Sequence, residues 1–392
     1  MSPYKNLSTQ ARSLTVFYRV AEDPVVDALL DLLEKADAFA DKKTLSYSAF
    51  TRKLFEKNEN LSEYIWELTA RDENIYVRKH ARKEETSDLL ETCVAKELEI
   101  LQNLSQLNAA DLKAGLGDFL PEWQTKSLNF AALYKERMEN LFAMGWGIYA
   151  NNRMFTYEEG EIVPVSFPDP IQLKSLVGYQ FARNQVVENT EAFLANKPAA
   201  NVLLYGDAGT GKSSTIKAIV NKLWGQGLRM IEVRKGDMLQ LPKLIHKLAD
   251  NPLKFILFID DLSFTGHNED VGALKAILEG SVAAKTDNVL IYATSNRRHL
   301  VKETLSDRSG DDVHRSETME EQTSLSDRFG LSIPFSKPDK KEYLEIVRGL
   351  AEHYGLADTE DLDMLAERFA IQRGGRSGRT ARYFIESLQC QR

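Results

Sequence analysis

Residues 206–213 read Gly-Asp-Ala-Gly-Thr-Gly-Lys-Ser, a glycine-rich stretch that ends in a lysine and a serine. It matches G-x-x-x-x-G-K-[S/T], in which glycines permit the positive φ angles and the close backbone approach that a loop around phosphate requires. An apolar run, Asn-Val-Leu-Leu-Tyr, precedes it at 201–205, and an amphipathic stretch follows it at 213–224. A buried strand, a glycine-rich loop and a helix therefore succeed one another, and this arrangement binds the phosphates of a nucleotide.

Each part of this loop has a predicted role in holding ATP with Mg²⁺. Backbone N–H groups surround the phosphates, and the helix that starts near Lys212 points its positive end at them. Lys212 brings an ammonium group to the β- and γ-phosphates, and the Ser213 hydroxyl binds Mg²⁺. The predicted nucleotide-binding residues of the loop are Gly206, Asp207, Ala208, Gly209, Thr210, Gly211, Lys212, Ser213 and Ser214. The competing interpretation is a glycine-rich turn without a ligand, and the flanking strand and helix patterns argue against it.

Two aspartates follow another apolar run, Phe-Ile-Leu-Phe-Ile at 255–259. A buried strand places the residues after it at the carboxyl edge of the sheet, where α/β folds bind ligands. We predict that Asp260 binds Mg²⁺ through its water shell and that Asp261 orients or deprotonates the attacking water. An ordinary strand end that enters a turn is the alternative. The position of Asp260-Asp261 after a strand-like run beyond the glycine-rich loop favours the functional interpretation.

A third strand-like run, at 288–293, ends in Thr-Ser-Asn at 294–296. A neutral amide at this edge can hydrogen-bond the γ-phosphate or the water, so we predict a catalytic role for Asn296. Asparagine after a strand more commonly serves as a cap or turn residue, and that alternative stays open. The basic residues Arg297, Arg298 and His299 follow, and they are expected either to contact phosphate or nucleic acid or to face solvent.

The apolar runs at 201–205, 229–233, 254–259, 288–293 and 331–335 alternate with stretches of helical length. Near-continuous apolar runs predict strands that are buried on both faces, as in a parallel sheet covered by helices. The predicted fold class is therefore α/β, an αβα sandwich of the P-loop NTPase type.

The chain is predicted to have three parts. Residues 1–165 form a mainly helical domain, because apolar residues recur there at spacings of three and four, and it ends in a hairpin near 153–166. Residues 169–336 form the αβα core. Residues 337–392 form a small helical lid, since three helical stretches follow Pro338 with no strand between them.

Composition excludes several classes of protein. The chain has 392 residues with 43% hydrophobic and 28% charged residues, which is typical of globular domains, and its net charge of −8 disfavours indiscriminate binding to polyanions. Two cysteines, Cys93 and Cys390, predict neither a disulfide framework nor a cysteine-rich zinc site. No run approaches the ~20 apolar residues that span a bilayer. We expect a cytoplasmic protein with no membrane or disulfide partner.

Together these motifs resemble the AAA+ ATPases over residues 169–392. The glycine-rich loop looks like the Walker A motif of that class, 255–261 like its Walker B motif and Asn296 like its sensor 1 residue. Most AAA+ members carry Asp-Glu after the Walker B strand, whereas this chain has Asp260-Asp261, with the second carboxylate one methylene shorter. The wording around 260–264, 291–301, 324–335 and 374–385 looks most similar to the bacterial DUF815 family of AAA+ proteins.

The resemblance implies further site residues. The segment Leu176-Val177-Gly178-Tyr179 lies where AAA+ proteins border the adenine, and Leu176, Val177 and Gly178 are its predicted binding residues. Leu-Ser-Asp-Arg occurs twice, at 305–308 and 325–328, and Arg328 resembles the arginine finger that reaches the γ-phosphate of a neighbouring subunit. An ion pair with Asp327 is the alternative for Arg328.

In the lid, the resemblance implies a sensor 2 arginine at the start of the last helix. Arg382 fits best by its spacing to the apolar residues that follow, and Arg379 is the rival, one turn earlier. A basic helix start that binds nucleic acid or faces solvent is the alternative to both.

The leading hypothesis is an ATPase that uses Mg²⁺ and ATP to remodel or switch an unknown protein or nucleic-acid client, as a ring-like homo-oligomer when ATP is bound. A nucleotide-gated binding module with little hydrolysis is the second hypothesis, motivated by Asp261. A nucleic-acid loader or remodeller is the third, motivated by 297–299 and the basic turn at 376–382.

Overall fold

The computed structural model describes residues 2–265, 269–279, 286–296, 301–302, 325–357 and 359–390. By its internal contacts the chain forms two compact units, Met1–Ala150 and Asn151–Arg392. Each unit has its own hydrophobic core.

The first unit is helical. Its helices are α1 (Pro3–Arg12), α2 (Tyr18–Ala21), α3 (Pro24–Glu34), α4 (Ala40–Phe55), α5 (Leu61–Arg71), α6 (Ile75–Ala81), α7 (Asp88–Ser105), α8 (Ala109–Lys113), α9 (Phe130–Glu139) and α10 (Leu141–Met144), followed by a 3₁₀ turn at Gly147–Tyr149. The most buried helix is α3, which begins where Asp23 accepts hydrogen bonds from the N–H groups of Val25 and Val26, with Pro24 in the first turn.

A buried carboxylate fixes the loop between α1 and α2. Glu97 on α7 is 5% exposed and accepts hydrogen bonds from the backbone N–H groups of Thr15, Val16 and Phe17. The Thr15 hydroxyl also donates to it, at 2.6 Å. Burial by itself raises the pKa of a carboxyl group, but these hydrogen bonds outweigh it, and the pKa of Glu97 is lowered.

The second unit is built on a sheet of seven strands in the order β2-β1-β4-β5-β7-β3-β9. The strands of this unit are β1 (Met154–Glu158), β2 (Glu161–Pro164), β3 (Val202–Gly206), β4 (Leu228–Val233), β5 (Lys254–Ile259), β6 (Phe264–Thr265), β7 (Val289–Ser295), β8 (Val301–Lys302) and β9 (Leu331–Phe335), of which β6 and β8 pair separately. Apart from β1 with β2, neighbours in the sheet run parallel. The predicted α/β class with a parallel sheet is confirmed.

Helices connect these strands. They are α11 (Gln180–Leu194), α12 (Lys212–Leu223), α13 (Leu241–Leu248) and α14 (Glu269–Glu279), with 3₁₀ turns at Leu173–Ser175, Trp224–Gln226 and Lys235–Gln240. The central strands are buried along nearly their whole length, since every residue from Phe255 to Ile259 is 0% exposed.

The hairpin near 153–166 differs from the sequence-based boundary, which assigned it to the helical domain at 1–165. The structure pairs β1 with β4 in parallel, with Phe155 opposite Ile231, and thus adds the hairpin to the edge of the sheet. The structural boundary lies between Ala150 and Asn151 because the apolar face of β1 has its partners in the second unit.

The last three helices, α15 (Lys340–His353), α16 (Leu362–Gln372) and α17 (Gly378–Gln389), share a small core that includes Tyr343, Val347, Ala366 and Phe384. We call these helices the lid. The N-terminus of α15 has a complete capping box, in which Asp339 and Glu342 satisfy each other's backbone N–H groups. Across the described part of the chain, no helix is long and apolar enough to cross a membrane.

Candidate functional site

The loop between β3 and α12, residues 206–211, is here called the glycine loop. Gly206, Gly209 and Gly211 have φ angles of +133°, +80° and +92°. A Cβ at Gly206 would lie 2.2 Å from the carbonyl oxygen of Phe335 on β9. The loop therefore needs glycine at 206 for space and at 209 and 211 for conformation.

Lys212 lies at the start of α12 with its ammonium group inside the glycine loop. Its Nζ donates to the carbonyl oxygens of Gly206 at 2.8 Å and Asp207 at 2.7 Å, and to Asn296 Oδ1 at 3.3 Å. Burial lowers the pKa of Lys212, and the negative charges of nearby aspartates oppose that effect. The side chain is 7% exposed, so its charge is held at the site rather than in bulk solvent.

Asp260 joins three elements at the carboxyl edge of the sheet. Its Oδ1 accepts hydrogen bonds from the Ser213 hydroxyl at 2.7 Å and from the Thr294 hydroxyl at 2.5 Å. Because β5, β7 and β3 are neighbours in the sheet, the residues that follow them meet at this one edge. The structure thus brings together Ser213 and Asp260, which lie far apart in sequence.

Asp261 is held beside Asp260 in a left-handed backbone conformation, with φ of +50°. Its N–H donates to Thr294 Oγ1 at 2.9 Å, and its Oδ1 accepts from Asn296 Nδ2 at 2.8 Å. Lys235, just after β4, approaches the other carboxylate oxygen at 3.9 Å. The Asn296 amide therefore connects Asp261 on one side with Lys212 on the other.

These groups line a cavity of about 570 Å³ between the core and the lid. The predicted residues on its wall are Leu176, Val177, Ala208, Gly209, Thr210, Gly211, Lys212, Ser213, Ser214, Asp260, Asp261, Asn296, Arg379 and Arg382. A volume of this size and a mixture of apolar and charged walls suit a ligand with a flat apolar part and a charged part.

Four predicted residues of the site lie outside the cavity lining: Gly178, Gly206, Asp207 and Arg328. Gly206 lies beneath the loop against Phe335, and Asp207 turns away from the cavity, where its Oδ2 accepts the backbone N–H of Lys337 at 3.0 Å. Gly178 has a φ angle of +80°, and a Cβ there would lie 2.8 Å from Ile346 of the lid. Asp207 and the two glycines therefore shape the site without lining the cavity.

Sequence analysis missed several residues of the cavity. They are Ile171, Ser175, Arg183, Thr215, Thr294, Phe335, Ile346, Leu350, Gly378 and Tyr383, whereas Tyr179 belongs to the segment expected to border the adenine and does line the cavity. Tyr179 stacks on Phe335 with ring centroids 5.3 Å apart, and its hydroxyl donates to the carbonyl oxygen of Ser336. Residues of the lid helix α15 carried no sequence signal, because an apolar side chain at helical spacing looks the same whether it lines a cavity or a core.

Both candidate arginines of the lid reach the cavity. The backbone N–H of Arg379 donates to the carbonyl oxygen of Gly209 at 3.0 Å, which joins α17 to the glycine loop. Arg382 lies one turn later and is near Glu386, at 3.8 Å. By contrast, Arg376 makes two hydrogen bonds to Glu367 at 2.8 and 2.7 Å, inside the lid.

Arg328 precedes β9 and is not among the residues that line the cavity of its own chain. The residues 297–299 and the first Leu-Ser-Asp-Arg copy, at 305–308, lie outside the described residues. Cys93 and Cys390 are free thiols.

Comparison with known proteins adds to this geometry. The family model described as "protein of unknown function (DUF815)" matches residues 150–392. The chain belongs to the DUF815 family. The start of the match coincides with the second structural unit, hairpin included. The resemblance to this AAA+ family that the sequence indicated is confirmed.

The DUF815 chain is also similar to curated AAA+ proteins. Proteasome-activating nucleotidase 2 of Haloferax volcanii is 25% identical over 203 residues, which are 47% of this chain and 45% of that protein. The cell division cycle protein 48 homolog of Archaeoglobus fulgidus is 27% identical over 189 residues, 44% of this chain and 23% of that one. The chain thus spans less than half the length of these relatives.

Among solved structures, PCH-2 of C. elegans matches with a TM-score of 0.37 and 19% identity, over 54% of this chain and 63% of that chain. The RuvB Holliday junction branch migration motor of Thermotoga maritima matches with a TM-score of 0.33 and 15% identity, over 56% and 72% of the two chains. These scores are low, and the fold assignment rests on the sheet of the chain itself and on the family match.

Proposed function

We propose that this DUF815 protein binds Mg-ATP in the cavity and hydrolyses it to remodel or switch a partner. One observation carries the proposal: a chain of hydrogen bonds and close charges runs from Lys212 through Asn296 to Asp261, beside the Ser213–Asp260 pair. An ammonium, an amide, two carboxylates and a hydroxyl at one edge of a sheet match what phosphoryl transfer to water requires. Two relatives are named nucleotidases, which supports hydrolysis as well.

Binding of the triphosphate would change the bonding of Lys212. Its three donors are directed to two loop carbonyls and to Asn296. The β- and γ-phosphates are stronger acceptors than carbonyl groups, since a charge-assisted hydrogen bond is about twice as strong as a neutral one. We therefore expect the ammonium group to leave the loop carbonyls for the phosphates, and the loop N–H groups to turn toward them.

The oxygen groups beside the glycine loop suit Mg²⁺. This ion is usually held by one or two carboxylates together with substrate phosphates rather than by an all-protein cage. The protein groups that would hold the ion here are the Ser213 hydroxyl and the Asp260 carboxylate, whose oxygens are 2.7 Å apart. Within the described residues no group of three or more His, Cys, Asp or Glu side chains could hold a metal by itself, which is compatible with a nucleotide-borne ion. When bound, Mg²⁺ would neutralise charge on the phosphates.

Asp261 and Asn296 are the groups proposed to act on the attacking water. Asp261 accepts from the Asn296 amide through one oxygen and leaves its other oxygen near Lys235, at 3.9 Å. The second carboxylate oxygen of Asp261 can accept a proton from water, while the second N–H of the Asn296 amide can donate to the γ-phosphate.

The test compares two lysines of the same helix. Lys212→Ala removes the ammonium group in the loop, whereas Lys222→Ala removes an exposed one that pairs with Glu191. We expect ATP turnover by the first variant to fall by about 10²-fold or more and turnover by the second to stay near that of the wild type. Equal turnover by Lys212→Ala and the wild type would exclude this cavity as the catalytic site.

A nucleotide-gated module with little hydrolysis is the second candidate. The short side chain of Asp261, its left-handed backbone and its bond to Asn296 favour it, because they limit how far the carboxylate reaches. Asp261→Glu adds one methylene, and we expect turnover to rise if reach is limiting. Measurable ATP affinity with no turnover in the wild type, and turnover gained in Asp261→Glu, would favour the module over the ATPase.

We further propose a ring of identical subunits in which Arg328 completes the neighbour's site. Its position just before β9, outside the cavity of its own chain, supports this role. In a mixed ring, an Arg328→Ala subunit has an intact glycine loop and a Lys212→Ala subunit has an intact Arg328. Where the two are neighbours, one complete site forms, so a mixture of the two inactive variants should regain part of the activity. A mixture as inactive as its components would rule out a shared site.

A further inference from the structure

Arg183 is a buried cation that the proposed mechanism does not use. It lies one turn into α11, it is 6% exposed, and it lines the cavity. Burying a guanidinium is costly unless its charge and its donors are satisfied. A guanidinium buried at this position therefore requires hydrogen-bond acceptors.

The partners of Arg183 within the protein are few. Among the described residues, its side chain donates one hydrogen bond, from Nη2 to Gln180 Oε1 at 3.1 Å, and it forms no ion pair within that same set. Burial lowers the pKa of Arg183, and no described carboxylate offsets that effect. A guanidinium has five N–H donors, so most of its capacity is open.

Arg183 lines the cavity, and its remaining donors are not sealed in the interior. Sealed polar side-chain atoms without a partner occur in the described residues at Arg71, Arg137 and Asn288, and Arg183 is not one of them. By contrast, the fully buried Arg229 donates to the carbonyl oxygens of Trp224 and Leu228. Arg229 is satisfied by backbone, whereas Arg183 borders the space that a ligand would fill.

The environment of Arg183 matches the nucleoside half of a nucleotide. The backbone N–H of Arg183 donates to the carbonyl oxygen of Tyr179, which lines the same cavity as the apolar residues Leu176 and Val177. The phosphate-binding end has its own cations, since Lys212 senses the charge of Arg379. Arg183 lies on α11 instead, one turn after Tyr179, and among the described residues its side chain forms no hydrogen bond with the glycine loop.

Neighbouring side chains hold the guanidinium in place. Gln180 accepts from Arg183 through Oε1 and donates from Nε2 to Asn184 Oδ1 at 2.8 Å. Both ends of the Gln180 amide are thus committed within α11. These hydrogen bonds orient the Arg183 guanidinium and leave its other N–H groups as the donors that can reach a ligand.

We propose that Arg183 donates a hydrogen bond to a neutral acceptor on the nucleoside of the bound nucleotide, either a ring nitrogen of the base or a ribose hydroxyl. The inference rests on the proposed binding of ATP in this cavity. It makes Arg183 a binding and specificity residue that contributes to affinity rather than to the chemical step.

The experiment measures ATP affinity and unliganded stability of Arg183→Met and Arg183→Gln. Methionine keeps the length of the side chain and removes the charge, and replacing buried charged groups by apolar ones of similar volume is often neutral or stabilising. We expect unchanged or higher unliganded thermal stability for Arg183→Met, with about tenfold weaker ATP binding in both variants. Arg373→Met, an exposed arginine over Phe369, is the matched control and should keep normal affinity.

Analogues that each lack one acceptor identify the group bound by Arg183. In 1-deaza-, 3-deaza-, 7-deaza-, 2′-deoxy- and 3′-deoxy-ATP, one candidate acceptor is missing while the triphosphate is retained. For one of these analogues, the wild type and Arg183→Met should bind with affinities within about twofold of each other. A tenfold effect of the substitution that persists for every analogue would overturn the proposal and place the contact on the phosphates.

Two other outcomes separate this inference from the proposed function. A wild-type protein that binds no ATP contradicts the proposed function itself. A wild-type protein that binds ATP, together with an Arg183→Met variant that binds equally well or loses its unliganded stability, refutes the role of Arg183 alone.

Discussion

Two glycines of the glycine loop allow a matched test of how the loop fits the sheet. Gly206 has a φ angle of +133°, and a Cβ on it would lie 2.2 Å from the oxygen and 2.7 Å from the carbon of the Phe335 carbonyl. Gly211 has a φ angle of +92°, and a Cβ on it would meet nothing within 4 Å. Alanine at either position must adopt a left-handed backbone, but only at 206 does it collide with a neighbouring strand.

The magnitudes follow from that difference. Gly211→Ala is expected to cost about 1–2 kcal/mol, the energy of an L-residue in the left-handed region. Gly206→Ala carries a conformational cost of about 1–3 kcal/mol. It must also move β3 away from β9, and the loss of two ladder hydrogen bonds adds about 2 kcal/mol. We therefore expect Gly206→Ala to be less stable than Gly211→Ala by about 2 kcal/mol or more.

Native-state hydrogen exchange provides the assay. The chain has two units, so a single unfolding midpoint would mix their stabilities. Exchange in peptides that cover β3 and β9 reports the second unit alone, and peptides from α3 serve as an internal control that neither substitution should change.

Equal exchange of the two variants in β3 and β9, within about 0.5 kcal/mol, would contradict this prediction. Such a result would mean that the Phe335 carbonyl can move aside at no cost. It would also mean that the close approach of β9 does not fix the shape of the loop.

Three further predictions concern other contacts. Glu97→Gln should destabilise the first unit by about 2–4 kcal/mol at neutral pH, because charge-assisted bonds to three backbone N–H groups are lost. Since the folded pKa of Glu97 is lowered, its contribution is complete above the usual carboxyl pKa of about 4.3 and is lost as pH falls through the folded value, so stability curves of variant and wild type should converge in acid and not at alkaline pH. Arg376→Met and Glu367→Gln should lower lid stability by the same amount, with no added loss in the double variant, whereas additive losses would show that the two groups act separately. Asn296→Ala should reduce ATP turnover by about 10²-fold while ATP affinity stays within about threefold, and an affinity loss as large as the turnover loss would assign Asn296 to binding instead of to the step at Asp261.

The sequence predicted the local features of the site because they depend on short stretches of chain. The pattern at 206–213 requires glycine and lysine at fixed spacing. The apolar runs at 255–259 and 288–293 predict the strands that precede Asp260 and Asn296. A parallel sheet then brings the ends of such strands to one edge without further information. These parts of the fold follow from residue order.

Only the tertiary structure decided which distant residues face the same cavity. Arg183 looks like any helix arginine in the sequence, and Asp207 lies within the glycine-rich motif although its carboxylate turns to Lys337. The hairpin strand β1 likewise joins the sheet through β4, a pairing that its own alternation of residues does not specify. The physical reason is that burial, pairing and orientation are set by neighbours distant in the chain, whereas motif spacing and periodicity are set by neighbours close in it.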